Sequence, residues 1–236
     1  SCVIVFGGHN IPYDTSVLKE NDFIDILIHG EGEVCFTELL KGLDKGDISD
    51  VSDISYRREN EFVTTKRSDG CFSLENYPSP YLTGIFDSMY KEYPLIDFQA
   101  TLETNRGCPY QCAFCDWSFT EKIRYFPMEK IKAAIKWMSE HKVSYCYCAD
   151  SNYGISPRDM EVAQCVVDYH NSTGYPGIFK PCYAKNSDEL VFGIGKLLNN
   201  NGVDKGVTLA YQSINPEVLE NIGRRNLDIE YYTKLN

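Results

Sequence analysis

The sequence predicts an α/β fold, and three observations carry that reading. Two apolar, β-branched stretches near the beginning each run into a glycine turn. From about residue 99 onward, strand-like and helix-like stretches alternate four times. The helix-like stretches place apolar residues at 3.6-residue spacing, whereas the strand-like ones are short apolar runs bounded by turn residues.

In chain order, residues 2–6 read as a buried strand ending in Gly7-Gly8, and residues 22–28 as a second ending in Gly30-Glu31-Gly32-Glu33. Val34, Phe36, Leu39, Leu40 and Leu43 then fit one face of a helix running to about Gly46. Residues 1–50 are therefore expected to be the closing portion of an α/β unit with parallel strands. The chain opens as if entered in the middle of a strand, so a truncated N-terminus is expected. In 51–98 the texture changes. Ile54–Arg57 and Glu61–Thr65 flank Arg58-Glu59-Asn60 as a hairpin, and Tyr77-Pro-Ser-Pro80 follows as an extended piece, which together suggest a linker with a small β element.

Residues 99–236 are expected to hold strands near 99–104, 143–149, 178–184 and 206–211, with helices near 128–141, 157–171, 187–200 and 216–222. Pro127, Ser156-Pro157 and Asn186-Ser187-Asp188 are suitable helix starts. Repeated β/α units point to a doubly wound sheet or a barrel, both of which build their sites on the loops after the strands. The chain stops inside a helical pattern, so a barrel would be unfinished here.

Composition excludes several classes. The 236 residues are 43% hydrophobic, enough for a sizeable core, and carry a formal net charge of -11. That balance argues against a broad surface for nucleic acid or anionic lipid, which needs clustered Lys and Arg. No apolar run approaches the roughly 20 residues of a membrane-spanning helix, and the opening residues lack the pattern of a secretory signal, so a cytoplasmic location is expected. Ten cysteines in so long a chain without an export signal suggest metal binding or plain burial rather than a disulfide framework.

Three of the ten, Cys108, Cys112 and Cys115, are spaced C-x3-C-x2-C directly after the strand at 99–104, within Glu103-Thr-Asn-Arg-Gly-Cys-Pro-Tyr-Gln-Cys-Ala-Phe-Cys-Asp-Trp117. Cys2, Cys35, Cys71, Cys146, Cys148, Cys165 and Cys182 are scattered and expected in the core. Thiolates are the usual protein ligands of iron–sulfur clusters, and a complete protein site normally uses four. A zinc site would need a fourth Cys or His at matching spacing. His9, His29, His141 and His170 are isolated and expected to be solvated or hydrogen-bonded.

With Phe114 before the last cysteine, the triad matches the signature CxxxCxΦC, and the sequence here resembles the radical S-adenosylmethionine family. Cys148-Ala-Asp150-Ser-Asn152-Tyr-Gly154 and Tyr211-Gln212-Ser213 resemble the subgroup that carries an N-terminal cobalamin-binding domain. The likeness extends over roughly residues 1–230. It implies the C-terminal part of a Rossmann-like cobalamin-binding domain in 1–50, a small β linker in 51–98, and the first four β/α units of a partial (β/α) barrel in 99–236.

The cofactors implied are a [4Fe–4S] cluster on the three thiolates and S-adenosylmethionine on the fourth iron. Cobalamin would be held by residues 1–50, where Gly7-Gly8 corresponds to the glycine pair that closes on its nucleotide tail. The partners implied are a small-molecule substrate and a one-electron reductant such as flavodoxin or ferredoxin. The family's cobalt-binding histidine motif, DxHxxG, is not in these residues. Where many members have a GGE motif for the amino group of S-adenosylmethionine, this chain has Asp150-Ser151-Asn152, and the role is carried over to Asp150. Lys185, Gln212 and Ser213 end later strands and are candidates for the carboxylate or ribose, with Arg224 and Arg225 further candidates for the carboxylate. The implied reaction is reductive cleavage to a 5′-deoxyadenosyl radical, with methyl transfer or rearrangement as outcomes. The rival readings are a non-catalytic iron–sulfur or zinc module, and a cobalamin-binding protein whose radical half has decayed.

Overall fold

A computed structural model describes residues 2–8, 10–68, 73–115, 122–185, 188–208 and 212–224. The chain divides into two compact units, Ser1–Phe72 and Ser73–Asn236.

In the first unit, β1 (Val5–Phe6) lies parallel to β2 (Ile26–Ile28), with Val5 opposite Ile26. β3 (Ile54–Arg58) and β4 (Glu61–Thr64) continue the same sheet antiparallel, in the order β1-β2-β3-β4. The hairpin expected in a linker is thus sheet, because Ile54 and Tyr56 pair with Ile28 and Ile26 and bury against them. β2 is apolar throughout because both of its faces are covered. Ile26 and Ile28 pack with Cys35 and Leu39 of α2 (Gly32–Lys45), while Leu27 packs with Leu18 of α1 (Ser16–Glu20). Each fully buried aliphatic side chain of this kind contributes about 1.5–3 kcal/mol. α2 ends at Gly46, whose φ of 80° is the left-handed conformation that a residue with a Cβ resists.

The second unit is built on three parallel strands in the order β5-β8-β9: β5 (Gln99–Leu102), β8 (Tyr145–Tyr153) and β9 (Ile178–Tyr183). Alternation along each strand sorts the side chains. Ala100, Leu102, Cys146, Cys148, Phe179 and Tyr183 are buried in one cluster with Ile131, Ala134, Ile135 and Met138 of α4 (Met128–Glu140), Val162 and Val166 of α5 (Pro157–Thr173), and Val191 and Ile194 of α6 (Asp188–Asn200). Gln99, Thr101 and Tyr147 point to the opposite side and are exposed. The start of α5 is determined locally: Ser156 and Asp159 form a reciprocal capping box and Pro157 occupies the first turn.

Shorter pieces complete the unit: α3 (Asp87–Glu92), a two-residue antiparallel pair of β6 (Asn105–Arg106) and β7 (Arg124–Tyr125), and α7 (Pro216–Asn221). The strand expected at 206–211 is not seen in 206–208, and residues 209–211 lie outside the described residues. Gly206 has a φ of 131°, and its carbonyl accepts from Lys180 Nζ at 3.3 Å instead of pairing in a sheet. Among the described residues no helix is long and apolar enough to cross a membrane.

Candidate functional site

The cysteine loop leaves the C-terminal end of β5 and is tied at its base before it reaches the first thiol. Asn105 and Arg106 pair with Tyr125 and Arg124, and Phe126 N–H donates to Thr104 O at 3.0 Å. Gly107 then turns the chain with φ of 106°, and a Cβ there would lie 2.4 Å from Lys122 O, so only glycine fits without displacement. Cys108 is buried, whereas Cys112 and Cys115 are half-buried. A backbone bond from Cys115 N to Cys112 O, 2.9 Å, closes the turn between the second and third cysteines. Ala113 N–H donates to Ile222 O at 3.1 Å, which fastens the loop to the end of α7.

Three consecutive residues at the end of β8 grip this loop. Asp150, 1% exposed, accepts at Oδ1 from Thr104 N at 2.7 Å and Asn105 N at 3.2 Å. Its Oδ2 accepts from Asn105 Nδ2 at 2.8 Å and from Thr104 Oγ1. Ser151 Oγ donates to Gly107 O at 2.9 Å, and Asn152 Nδ2 donates to Cys108 Sγ at 3.1 Å. A regular strand would send these side chains to alternate faces. Here the register with β9 is interrupted between Cys148 and Tyr153, which lets all three address the same loop. Burial pushes the Asp150 carboxyl up to about 6, against the pull of its hydrogen bonds.

The other expected residues distribute as follows. Asp150, expected to meet an ammonium group, directs both oxygens at Thr104 and Asn105. Lys185 follows β9 and donates from Nζ to Ser151 O at 3.2 Å, so it joins the same cluster of residues. Ser213 Oγ accepts from Asn215 N at 3.1 Å, just ahead of α7, and Gln212 is exposed. Arg224 N–H donates to Leu219 O at 2.8 Å, and its charge lies close enough to Tyr110 to act on that phenol. Gly7 and Gly8 belong to the first unit and end β1; Gly8 has φ of 100°, and no atom lies within 4 Å of where its side chain would be. Arg225, Tyr211, Asp116, Trp117, His9 and Cys71 lie outside the described residues.

The remaining histidines are tied into local structure. His29 bonds Ser55 Oγ through Nε2 at 2.8 Å, His141 meets Trp137 O at 2.9 Å, and His170 meets Pro176 O at 2.8 Å, each through Nδ1. Of the scattered cysteines, Cys35, Cys146 and Cys148 are buried, but Cys165 and Cys182 are only half-buried and Cys2 is exposed. Desolvation pushes the Cys146 thiol up to about 12, which keeps it neutral. Sequence reasoning missed Thr104, Asn105, Gly107 and the gripping roles of Ser151 and Asn152. The one local hint was the Thr-Asn pair just ahead of Arg-Gly-Cys.

Three thiols on one loop, with an amide N–H already directed at the first, suit a cluster that takes each sulfur at a different corner. A zinc ion would instead need its ligands drawn onto one point. Among the described residues, which include all three of these thiols, no three His, Cys, Asp or Glu side chains are grouped closely enough to hold a metal ion.

Comparison with known proteins shows what the chain is similar to. The chain is homologous over nearly its whole length to cobalamin-dependent radical S-adenosylmethionine methyltransferases. It is 38% identical over 240 residues to 2-(S-pantetheinyl)-carbapenam-3-carboxylate methyltransferase of Streptantibioticus cattleyicolor, a match spanning 99% of this chain and 35% of that protein. It is 37% identical over 241 residues to the cobalamin-dependent radical SAM methyltransferase TokK of Streptomyces tokunonensis, with the same coverage of 99% and 35%. The chain thus spans about a third of the length of these relatives. Its fold is similar to that of the radical S-adenosylmethionine methyltransferase TsrM from Kitasatospora setae, solved with cobalamin and a [4Fe–4S] cluster bound. The TM-score is 0.69 at 16% identity, over 99% of this chain and 47% of that one. No protein-family model matches the sequence.

Proposed function

We propose that the second unit is the cluster-bearing part of a radical S-adenosylmethionine methyltransferase, with Cys108, Cys112 and Cys115 holding a [4Fe–4S] cluster. The observation that carries this is the triad itself, set on a loop leaving the C-terminal end of a parallel strand and gripped at Thr104, Asn105, Gly107 and Cys108 by the next strand. When bound, the cluster and S-adenosylmethionine supply the one-electron cleavage that yields a 5′-deoxyadenosyl radical. The protein's share is positional. Asp150 and Ser151 hold the loop's base, Gly107 lets it turn, and the Ala113 to Ile222 bond anchors its far side.

Lys185, Gln212 and Ser213 are the proposed contacts to the carboxylate and ribose of S-adenosylmethionine, whereas Asp150, buried with both oxygens occupied by Thr104 and Asn105, serves the loop and not the ammonium group. Lys185 is the best supported of these because its Nζ reaches the Asp150-Ser151-Asn152 turn. The three parallel β/α units are read as the opening of a partial (β/α) barrel. Residues 1–50 are read as the C-terminal part of a Rossmann-like cobalamin-binding domain. The parallel β1–β2 pair and the open space at Gly8 suit a ligand lying against the backbone. The whole protein is then a methyltransferase acting on a small molecule and fed by a one-electron donor such as flavodoxin or ferredoxin.

The test is anaerobic reconstitution of the protein with iron and sulfide. The expected result is a [4Fe–4S] signal in electron paramagnetic resonance after reduction, and 5′-deoxyadenosine formed from S-adenosylmethionine. Stoichiometric zinc with no cluster would support the interaction-module reading instead. Cobalamin binding with no cluster would support a decayed radical half.

A further inference from the structure

We propose that Asn152 is a positioning residue for the cluster: its side-chain amide donates a hydrogen bond to the Cys108 sulfur and raises the reduction potential of the cluster held there. This rests on the reading of the triad as cluster ligands and adds to it a specific electronic role.

The geometry assigns the amide's orientation. Asn152 is 2% exposed, and Nδ2 lies 3.1 Å from Cys108 Sγ and 3.1 Å from Ser151 Oγ. The Ser151 hydroxyl hydrogen is already given to Gly107 O at 2.9 Å, so its oxygen is left to accept. A ligating thiolate also only accepts. Both neighbours therefore demand the N–H side of the amide, and the opposite orientation would set a carbonyl oxygen against two acceptors. The chain Asn152, Ser151, Gly107 O is held from behind by Lys185, whose Nζ donates to Ser151 O at 3.2 Å. The amide thus has little freedom to leave the sulfur.

Hydrogen bonds to cluster sulfurs are one of the levers by which a protein adjusts reduction potential. An N–H directed at the thiolate favours the more negative, reduced state, because that state places more charge on sulfur. Leucine at 152 keeps the volume but removes the donor, whereas aspartate keeps the shape and replaces the donor with an acceptor.

The experiment compares Asn152→Leu and Asn152→Asp with the unaltered protein, all reconstituted anaerobically. It measures iron content, far-ultraviolet circular dichroism and the midpoint potential without S-adenosylmethionine. The expected result is folded, cluster-bearing variants whose reduction equilibrium shifts at least tenfold toward the oxidised form, ~59 mV more negative for one electron, with aspartate lower than leucine. Potentials equal to that of the unaltered protein overturn the assignment. Should a variant lose its cluster, the unaltered protein decides. With asparagine 15N-labelled, pulsed electron paramagnetic resonance of the reduced cluster is expected to show nitrogen hyperfine coupling, and its absence overturns the assignment equally. A failure of the unaltered protein to assemble any [4Fe–4S] cluster would instead sink the functional reading on which this one rests.

Discussion

Asp150 and Thr104, 46 residues apart, are joined twice: Oδ1 accepts from the Thr104 backbone N–H at 2.7 Å and Oδ2 accepts from its hydroxyl. This double bond between the ends of two parallel strands settles where the cysteine loop begins. Asn105 adds two donors to the same carboxylate, so a carboxamide in its place turns its NH2 group toward donors whichever way it faces: toward the Thr104 and Asn105 backbone N–H groups, or toward Thr104 Oγ1 and Asn105 Nδ2. We expect Asp150→Asn to destabilise the chain by about 1–3 kcal/mol, the cost of leaving a buried donor unsatisfied. Chemical denaturation at acid pH measures it, and an unchanged midpoint would reject the clasp.

The same carboxyl predicts a pH dependence. Burial raises it to about 6 from 3.8, so between those values the folded chain holds a proton that the unfolded chain has released. Its contribution to stability is therefore complete below 3.8 and declines as pH rises through 6. Asp150→Asn lacks that titration. The gap in stability between the unaltered protein and Asp150→Asn should narrow as pH is raised from 4.5 to 7.5. Denaturation curves at the two pH values check the sign, and a gap that widens would contradict it.

Gly107 offers a test of the loop's backbone. Its φ of 106° and the 2.4 Å approach of an added Cβ to Lys122 O leave no room for a side chain. We expect Gly107→Ala to cost more than about 1 kcal/mol and to reduce iron uptake, since Cys108 is the next residue. Gly202→Ala is the control, also at positive φ but with nothing within 4 Å of the added carbon. Equal iron content in the two variants would show that the turn does not place the thiol.

Cysteine specificity separates ligands from core. Alanine at 108, 112 or 115 should abolish the broad visible absorption of the reconstituted cluster. Cys146→Ala should retain it, because Cys146 is fully buried between β5 and the helices. Iron per chain is the readout. A cluster lost in Cys146→Ala but kept in Cys112→Ala would place the site elsewhere.

Asp204 gives a stability prediction remote from the cysteines. It is 3% exposed, pairs with Lys180 Nζ at 3.0 Å and accepts from Tyr183 Oη at 3.0 Å. Removing Asp204 leaves the half-buried Lys180 ammonium with Gly206 O alone and the Tyr183 hydroxyl without its acceptor, so Asp204→Ala should cost about 3–5 kcal/mol. Thermal or chemical unfolding reads it directly, and a cost within about 0.5 kcal/mol would place the pair among surface-like contacts.

What the sequence determined by itself was whatever lies within a short window. The spans of α2, α4 and α5 follow from apolar spacing and from Pro127 and Ser156-Pro157, and β3–β4 from two β-rich runs around Glu59-Asn60. The cysteine triad is legible for the same reason, since eight residues contain all of it. Tertiary structure alone decided the rest. The β3–β4 hairpin belongs to the sheet of β1 and β2 because β2 needs a partner on its free edge, and nothing local to the hairpin says so. Asp150 was legible as a carboxylate after a strand, but its partners were not. They come from β5 lying parallel to β8, which carries Thr104 to a residue 46 positions away. Ser151 and Asn152 read as ordinary turn residues until the interrupted register of β8 turns them toward Gly107 and Cys108. Periodicity and spacing record local geometry, whereas a hydrogen bond between distant residues depends on strand order and register, which no short stretch encodes.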